Sequence, residues 1–236
     1  MIRSLRLLAL AALAASCGGD DGQGMTGGGD GGAASDGDGG VFYPDAAVVH
    51  TIMPMVAHSG FDGTNTYKVP VYTTIEDATF AIVDGAVADI APATPSPELE
   101  DALGSFAKSW AMITTTGAGT TMLSASAGDD RAQATLIVAA YDAADVAVGS
   151  QRYNDPANPN DVDRIACKTC HGGPEGVDHT PLALSYYEDA GILQIAADGT
   201  YPEGGEVNGG NHTWNFTAAE AAGIVPYLRS LEPRGF

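Results

Sequence analysis

The chain changes its hydrophobic rhythm along its length. From about residue 41 to 148, short runs of β-branched, aromatic and small apolar residues alternate with polar ones and are cut by Gly, Asp and Pro. "KVPVYTTIE" (68–76), "SWAMITTT" (109–116), "TTMLSASAG" (120–128) and "RAQATLIVAAYD" (131–142) each read as a strand. "TFAIVDGAVADI" (79–90) reads as two strands around Asp84-Gly85, a dipeptide that favours a tight hairpin. Strands at these short intervals predict a β-sandwich. Towards the C-terminus the period becomes helical: Ala221, Ile224, Val225, Leu228 and Leu231 share one face. Thr217 and Glu220 make the S/T-x-x-E pattern of a capping box, so a helix is expected from Thr217 to Leu231. Pro226 lacks a backbone donor and should kink it.

The N-terminus has neither rhythm. Arg3 and Arg6 accompany a short apolar run that ends at Ala15, too short to span a bilayer comfortably. This is the pattern of an export signal, residues 1–16. The ending "LAASC" resembles the lipobox of bacterial lipoproteins, which implies lipidation of Cys17 and removal of everything before it. Residues 17–40 are almost entirely Gly, Asp, Ser and Ala. With nothing to bury, such a segment cannot offset the entropy of ordering, so a disordered N-terminal linker is expected. Its aspartates lack the spacing of a calcium loop.

Charge narrows the partners. The chain has 30 acidic and 10 basic residues, a formal net charge of −20. That balance argues against nucleic acid and against adsorption to anionic lipid, leaving the N-terminal lipid as the only expected membrane contact.

The chemistry concentrates in "RIACKTCHGG" (164–173), where Cys167, Cys170 and His171 form C-x-x-C-H. On a helical turn, positions i, i+3 and i+4 share a face. Two thiols so placed can add to the two vinyl groups of one haem, with the histidine beneath the iron. Zinc, a redox dithiol and a plain disulfide are the rivals. Zinc sites commonly hold four protein ligands, and no second cysteine pair exists once Cys17 is lipidated. A redox dithiol expects a βαβ setting, and a Cys167–Cys170 disulfide would close too small a loop to stabilise much. Elsewhere, His50 and His58 flank Met53 and Met55, a conceivable copper set, against which stands ordinary strand packing by methionine.

Two family resemblances bear on these residues. "TFAIVDGAVADIAP", "MITTTGAGTTMLSASAG" and "ATLIVAA" resemble a bacterial Ig-like domain of the group-2 type, with Phe80 where the family has tryptophan and no cysteine for an Ig disulfide. Residues 149–236 resemble a small mono-haem cytochrome c. Gly149 and Tyr153 match the family's N-terminal helix motif, although "NDPANPNDVDRIA" separates them from the first cysteine. The resemblance implies one haem c per chain, bound through Cys167 and Cys170, with His171 as proximal ligand. It also implies that the Pro181 carbonyl orients the His171 imidazole. No methionine follows the haem motif, which leaves His179 and His212 as distal candidates. His212 lies before the final helix, where short cytochromes place the distal ligand, in a segment "HTWNFT" resembling exported cytochromes with H-x-W there. His212 is favoured over His179 and over a five-coordinate iron. Trp214, Tyr186, Tyr187 and Tyr227 are expected as core or pocket wall.

The fold class expected is therefore two domains: an all-β Ig-like sandwich (41–148) followed by an all-α cytochrome c-like domain (149–236). The function expected is extracytoplasmic electron transfer by a lipid-anchored exported protein, rather than enzymatic turnover. Its redox partner should be basic or neutral at the contact. An open distal site for peroxide or gas chemistry, and an adhesive or structural lipoprotein, are the alternatives.

Overall fold

The computed structural model describes residues 49–155, 166–171, 178–207 and 214–236, Ser105 and Cys170 without their side chains. The export signal, Cys17, the tether and His212 lie outside the described residues.

Eight strands form two four-stranded sheets among the described residues. The first has the order β1 (Ile52–Met53), β3 (Lys68–Thr73), β6 (Ser109–Thr115), β5 (Ala88–Pro92), antiparallel throughout. The second has the order β2 (Val56–Phe61), β8 (Asp130–Ala140), β7 (Gly119–Ala127), β4 (Thr79–Ile82), with β2 parallel to β8. Alternation along the strands produces the core. Val69, Val71, Ala111 and Ile113 of the first sheet meet Ala57, Leu123, Ala125 and Leu136 of the second, all fully shielded. Burial of such side chains contributes about 1.5–3 kcal/mol for each large one.

The hairpin expected at Asp84-Gly85 is not one. β4 pairs with β7 and β5 with β6, so the segment between them crosses from one sheet to the other. Asp84 still makes a turn, accepting from the Ala86 and Val87 amides at 2.9 and 3.2 Å. Gly85 is absent from the positive-φ glycines, which the usual two-residue hairpin turn requires. Phe80 and Ile82 on one strand and Ile90 on the other pack on the same core from opposite sheets, a placement that a flat hairpin would forbid.

The expected fold class is overturned. Val49–Phe236 is one compact unit of mixed strands and helices, not a sandwich followed by a separate all-α domain. Helix α1 (Pro97–Leu103) lies inside the strand region, started by Ser96, whose side chain caps the Leu99 amide, and by Pro97 in the first turn. Helix α2 (Ala143–Asn154) follows β8 after only two residues and runs straight through residue 149. Helices α3 (Lys168–His171), α4 (Pro181–Leu184), α5 (Asp189–Asp198) and α6 (Ala218–Arg229) complete the unit. The outer face of the first sheet is apolar and needs cover. Tyr72 and Trp110 there pack with Leu99 of α1 and Leu182 of α4, and the Phe236 ring lies 5.4 Å from Trp110. The Tyr72 and Tyr186 hydroxyls meet at 3.2 Å. Strands and helices thus share buried surface.

Candidate functional site

The site rests on the crossing of α2 and α6. Asp142 caps α2, accepting from the Ala144 amide at 2.9 Å, and Thr217 and Glu220 complete the expected capping box on α6. The helices touch through Gly149 and Gly223. A Cβ on Gly149 would stand 2.0 Å from the Gly223 carbonyl oxygen, and one on Gly223 would stand 2.3 Å from that of Asp145. No residue but glycine fits at this crossing. One turn further on, the Tyr153 and Tyr227 rings pack at 5.3 Å and the Asn154 amide donates to the Tyr227 hydroxyl at 3.0 Å. Burial, with the thiol of Cys167 next in effect, pushes the Tyr153 phenol up to about 12, so it stays protonated.

Cys167 and His171 come together on one helical turn. The His171 amide donates to the Cys167 carbonyl at 3.2 Å, and both side chains line a narrow cleft. Tyr153, Trp214 and Phe216 wall it, with Ala196 of α5 and Ile224 and Leu228 of α6. Its surface is entirely apolar apart from the thiol, the imidazoles and the ring edges. Cys167 is buried and His171 partly so. The side chain of Cys170 falls outside the described residues.

His179 enters the same cleft. Its ring lies parallel to that of His171, with centroids 3.7 Å apart and planes at 21°. It is held there by its own turn. The Thr180 amide donates to Asp178 at 2.8 Å, and the Arg234 amide donates to the Thr180 hydroxyl at 3.0 Å. With their rings in contact, His171 and His179 leave no room for a metal ion between them. Pro181 opens α4, and its carbonyl accepts from the Ser185 amide at 3.0 Å.

Arg152 is the residue that sequence reasoning passed over. Its side chain is completely shielded, with the guanidinium 5.2 Å over the Trp214 ring and 5.5 Å over the Phe216 ring. Glu220 stands 3.8 Å from its Nε. The signal was its place beside Tyr153 in "GSQRYN", one position round the helix from the cleft wall. Trp214, Tyr187 and Tyr227 are wall or core, as expected.

The Met and His set at residues 50–58 is not drawn together as a copper site. His50 contacts the Thr74 hydroxyl at 3.1 Å and the Asp130 carboxylate at 3.3 Å. Met53 turns instead towards Tyr72 and Trp110, and Met55 is exposed. Among the described residues no cluster of three or more His, Cys, Asp or Glu stands ready for a bare metal ion. None of their helices is long and apolar enough to cross a membrane.

No family model and no curated protein matches the chain. Among solved structures, domains 4 and 5 of the S-layer protein SbsC match 39% of this chain and 51% of theirs, at 12% identity and a TM-score of 0.27. A longer SbsC structure matches 39% of this chain and 12% of its own length, at 11% identity and a TM-score of 0.27. The chain therefore spans about half, or less, of the structures it resembles, and likeness this slight carries no argument about fold or function.

Proposed function

We propose that the cleft holds one covalently attached c-type haem and that the protein transfers electrons. The observation that carries this reading is the convergence of Cys167 and His171, from one helical turn, on an apolar cleft walled by aromatic rings. A bare metal ion would prefer a polar cage, whereas a flat macrocycle needs apolar walls with a thiol and an imidazole at one edge. The close crossing of α2 and α6 through Gly149 and Gly223 supports the same reading, since Gly149 belongs to the pair by which α2 resembles the cytochrome N-terminal helix.

Haem would supply a one-electron couple. The chain does the rest. Cys167 and Cys170 would hold the group by thioether bonds, and His171 would offer its imidazole nitrogen to the iron. Tyr153, Trp214, Phe216, Ile224 and Leu228 keep water away, so little rearrangement accompanies a change of charge. In this reading His212 would be the second histidine to hold the iron, since His179 lies flat against His171. Export and anchoring through a lipid on Cys17 belong to the same proposal, as does a partner that is basic or neutral at the contact.

The deciding experiment is expression in a host with c-type maturation, followed by a reduced pyridine-haemochrome spectrum on the denatured chain. One covalent haem per chain is expected, lost when Cys167 and Cys170 are both changed to Ala. A chain without covalent haem, beside correctly matured control cytochromes, ends the proposal.

A further inference from the structure

Arg229 sits at the C-terminal end of α6, is 1% exposed, and takes no part in the cleft. A guanidinium so deeply placed is costly unless its donors are matched. Here they are matched by acceptors from two separate pieces of chain, strand β2 and residues 187–189 leading into α5. Its Nε and one terminal nitrogen both stand 2.8 Å from Asp189 Oδ1, at the start of α5. The other terminal nitrogen donates to the His58 carbonyl on β2 at 2.8 Å, and the first donates also to the Tyr187 carbonyl at 2.7 Å. Asp189 is held in turn by the Tyr141 hydroxyl, which donates to its second oxygen at 2.8 Å from just beyond β8. Gly60 makes room for this. A Cβ there would stand 2.0 Å from the Tyr141 ring. Beside the cluster, the His58 amide donates to the Ser185 carbonyl at 2.8 Å, so the outer edge of β2 is completed by the turn after α4.

We infer that Arg229 is a positioning residue for the cleft: it latches α5 and α6, whose Ala196, Ile224 and Leu228 form cleft wall, onto strand β2. The sandwich is then the frame on which the cleft is built, not a spacer carried beside it. The inference is independent of what fills the cleft. A fork is needed for this task, because its acceptors belong to different segments and only a planar, five-donor group reaches them together.

Hydrogen exchange read by mass spectrometry on the mature chain as isolated tests the latch. In the wild type, amides of α5 and α6 should exchange no more than about tenfold faster than those of central strand β8, as expected of a single opening unit. Arg229→Met should speed α5 and α6 by more than about tenfold while β8 changes by less than about twofold. Tyr141→Phe removes one support of Asp189 and should give the same selective pattern, at about threefold. If the methionine variant does not fold, this milder one decides. Uniform acceleration of all elements, no acceleration of α5 and α6, or a wild type whose helices already exchange far faster than β8 overturns the inference.

Discussion

Two glycines carry more of the architecture than their size suggests. At Gly149 and Gly223 the backbones of α2 and α6 approach so closely that any Cβ meets a carbonyl oxygen or amide nitrogen under 3 Å away. Gly149→Ala should therefore cost about 1–3 kcal/mol or more as overpacking, read as a lower denaturant midpoint, and the damage should extend to the cleft. A loss of only a few tenths would mean the helices can part easily. Arg152 makes the opposite case. Its side chain, shielded between Trp214 and Phe216 with Glu220 nearby, stabilises by packing as well as charge. Gly149, Tyr153, Cys167 and His171 were legible in sequence because their spacing is local. Gly223 and Arg152 were not, because their meaning lies in what stands opposite them.

Helix ends were the most legible elements. The capping box at Thr217 and Glu220 forms as the pattern requires, and α6 ends at Arg229, two residues short of Leu231, having passed through Pro226. Thr217→Ala should cost about 1 kcal/mol, measured by thermal or denaturant unfolding, and Thr217→Asn much less. Strand β2 carries a pH dependence. Burial first, and the Arg229 charge second, hold the His58 imidazole below its ordinary value. The unfolded chain then takes up a proton that the folded chain resists, so stability is full above about pH 6.5 and declines as the pH falls below it. His58→Gln should flatten that decline in unfolding curves taken between about pH 7 and 5. An unchanged slope would place the titration elsewhere. The Asp84-Gly85 turn misled because turn chemistry says where the chain bends, and not which sheet the next strand joins.

The acidic balance of the whole molecule bears on its encounters. Thirty acidic residues against ten basic ones make a long-range negative field, and residues 149–236 hold five basic and twelve acidic residues. If the cleft carries haem, reduction by a small basic donor protein should slow markedly as salt rises from about 10 to 300 mM, because screening shortens the reach of that field. Stopped-flow rates independent of salt would remove electrostatic steering from the account. The same rates with an acidic donor should begin low and rise.

From the sequence alone come the strand and helix periods, the cap of α6, the C-x-x-C-H turn and the sign of the charge. All of these are set within a few residues or by composition. The tertiary structure alone decided that strands and helices form a single compact unit, because that depends on which apolar faces remain to be covered. The first sheet exposes Tyr72 and Trp110, and helical residues from far along the chain cover them. Likewise the sequence placed His179 only near His171 in number. The turn from Asp178 to Thr180, pinned by Arg234 from the last residues of the chain, laid the two rings face to face. Buried polar groups such as Arg229 need acceptors wherever the fold can supply them, and those acceptors come from segments that no local pattern connects.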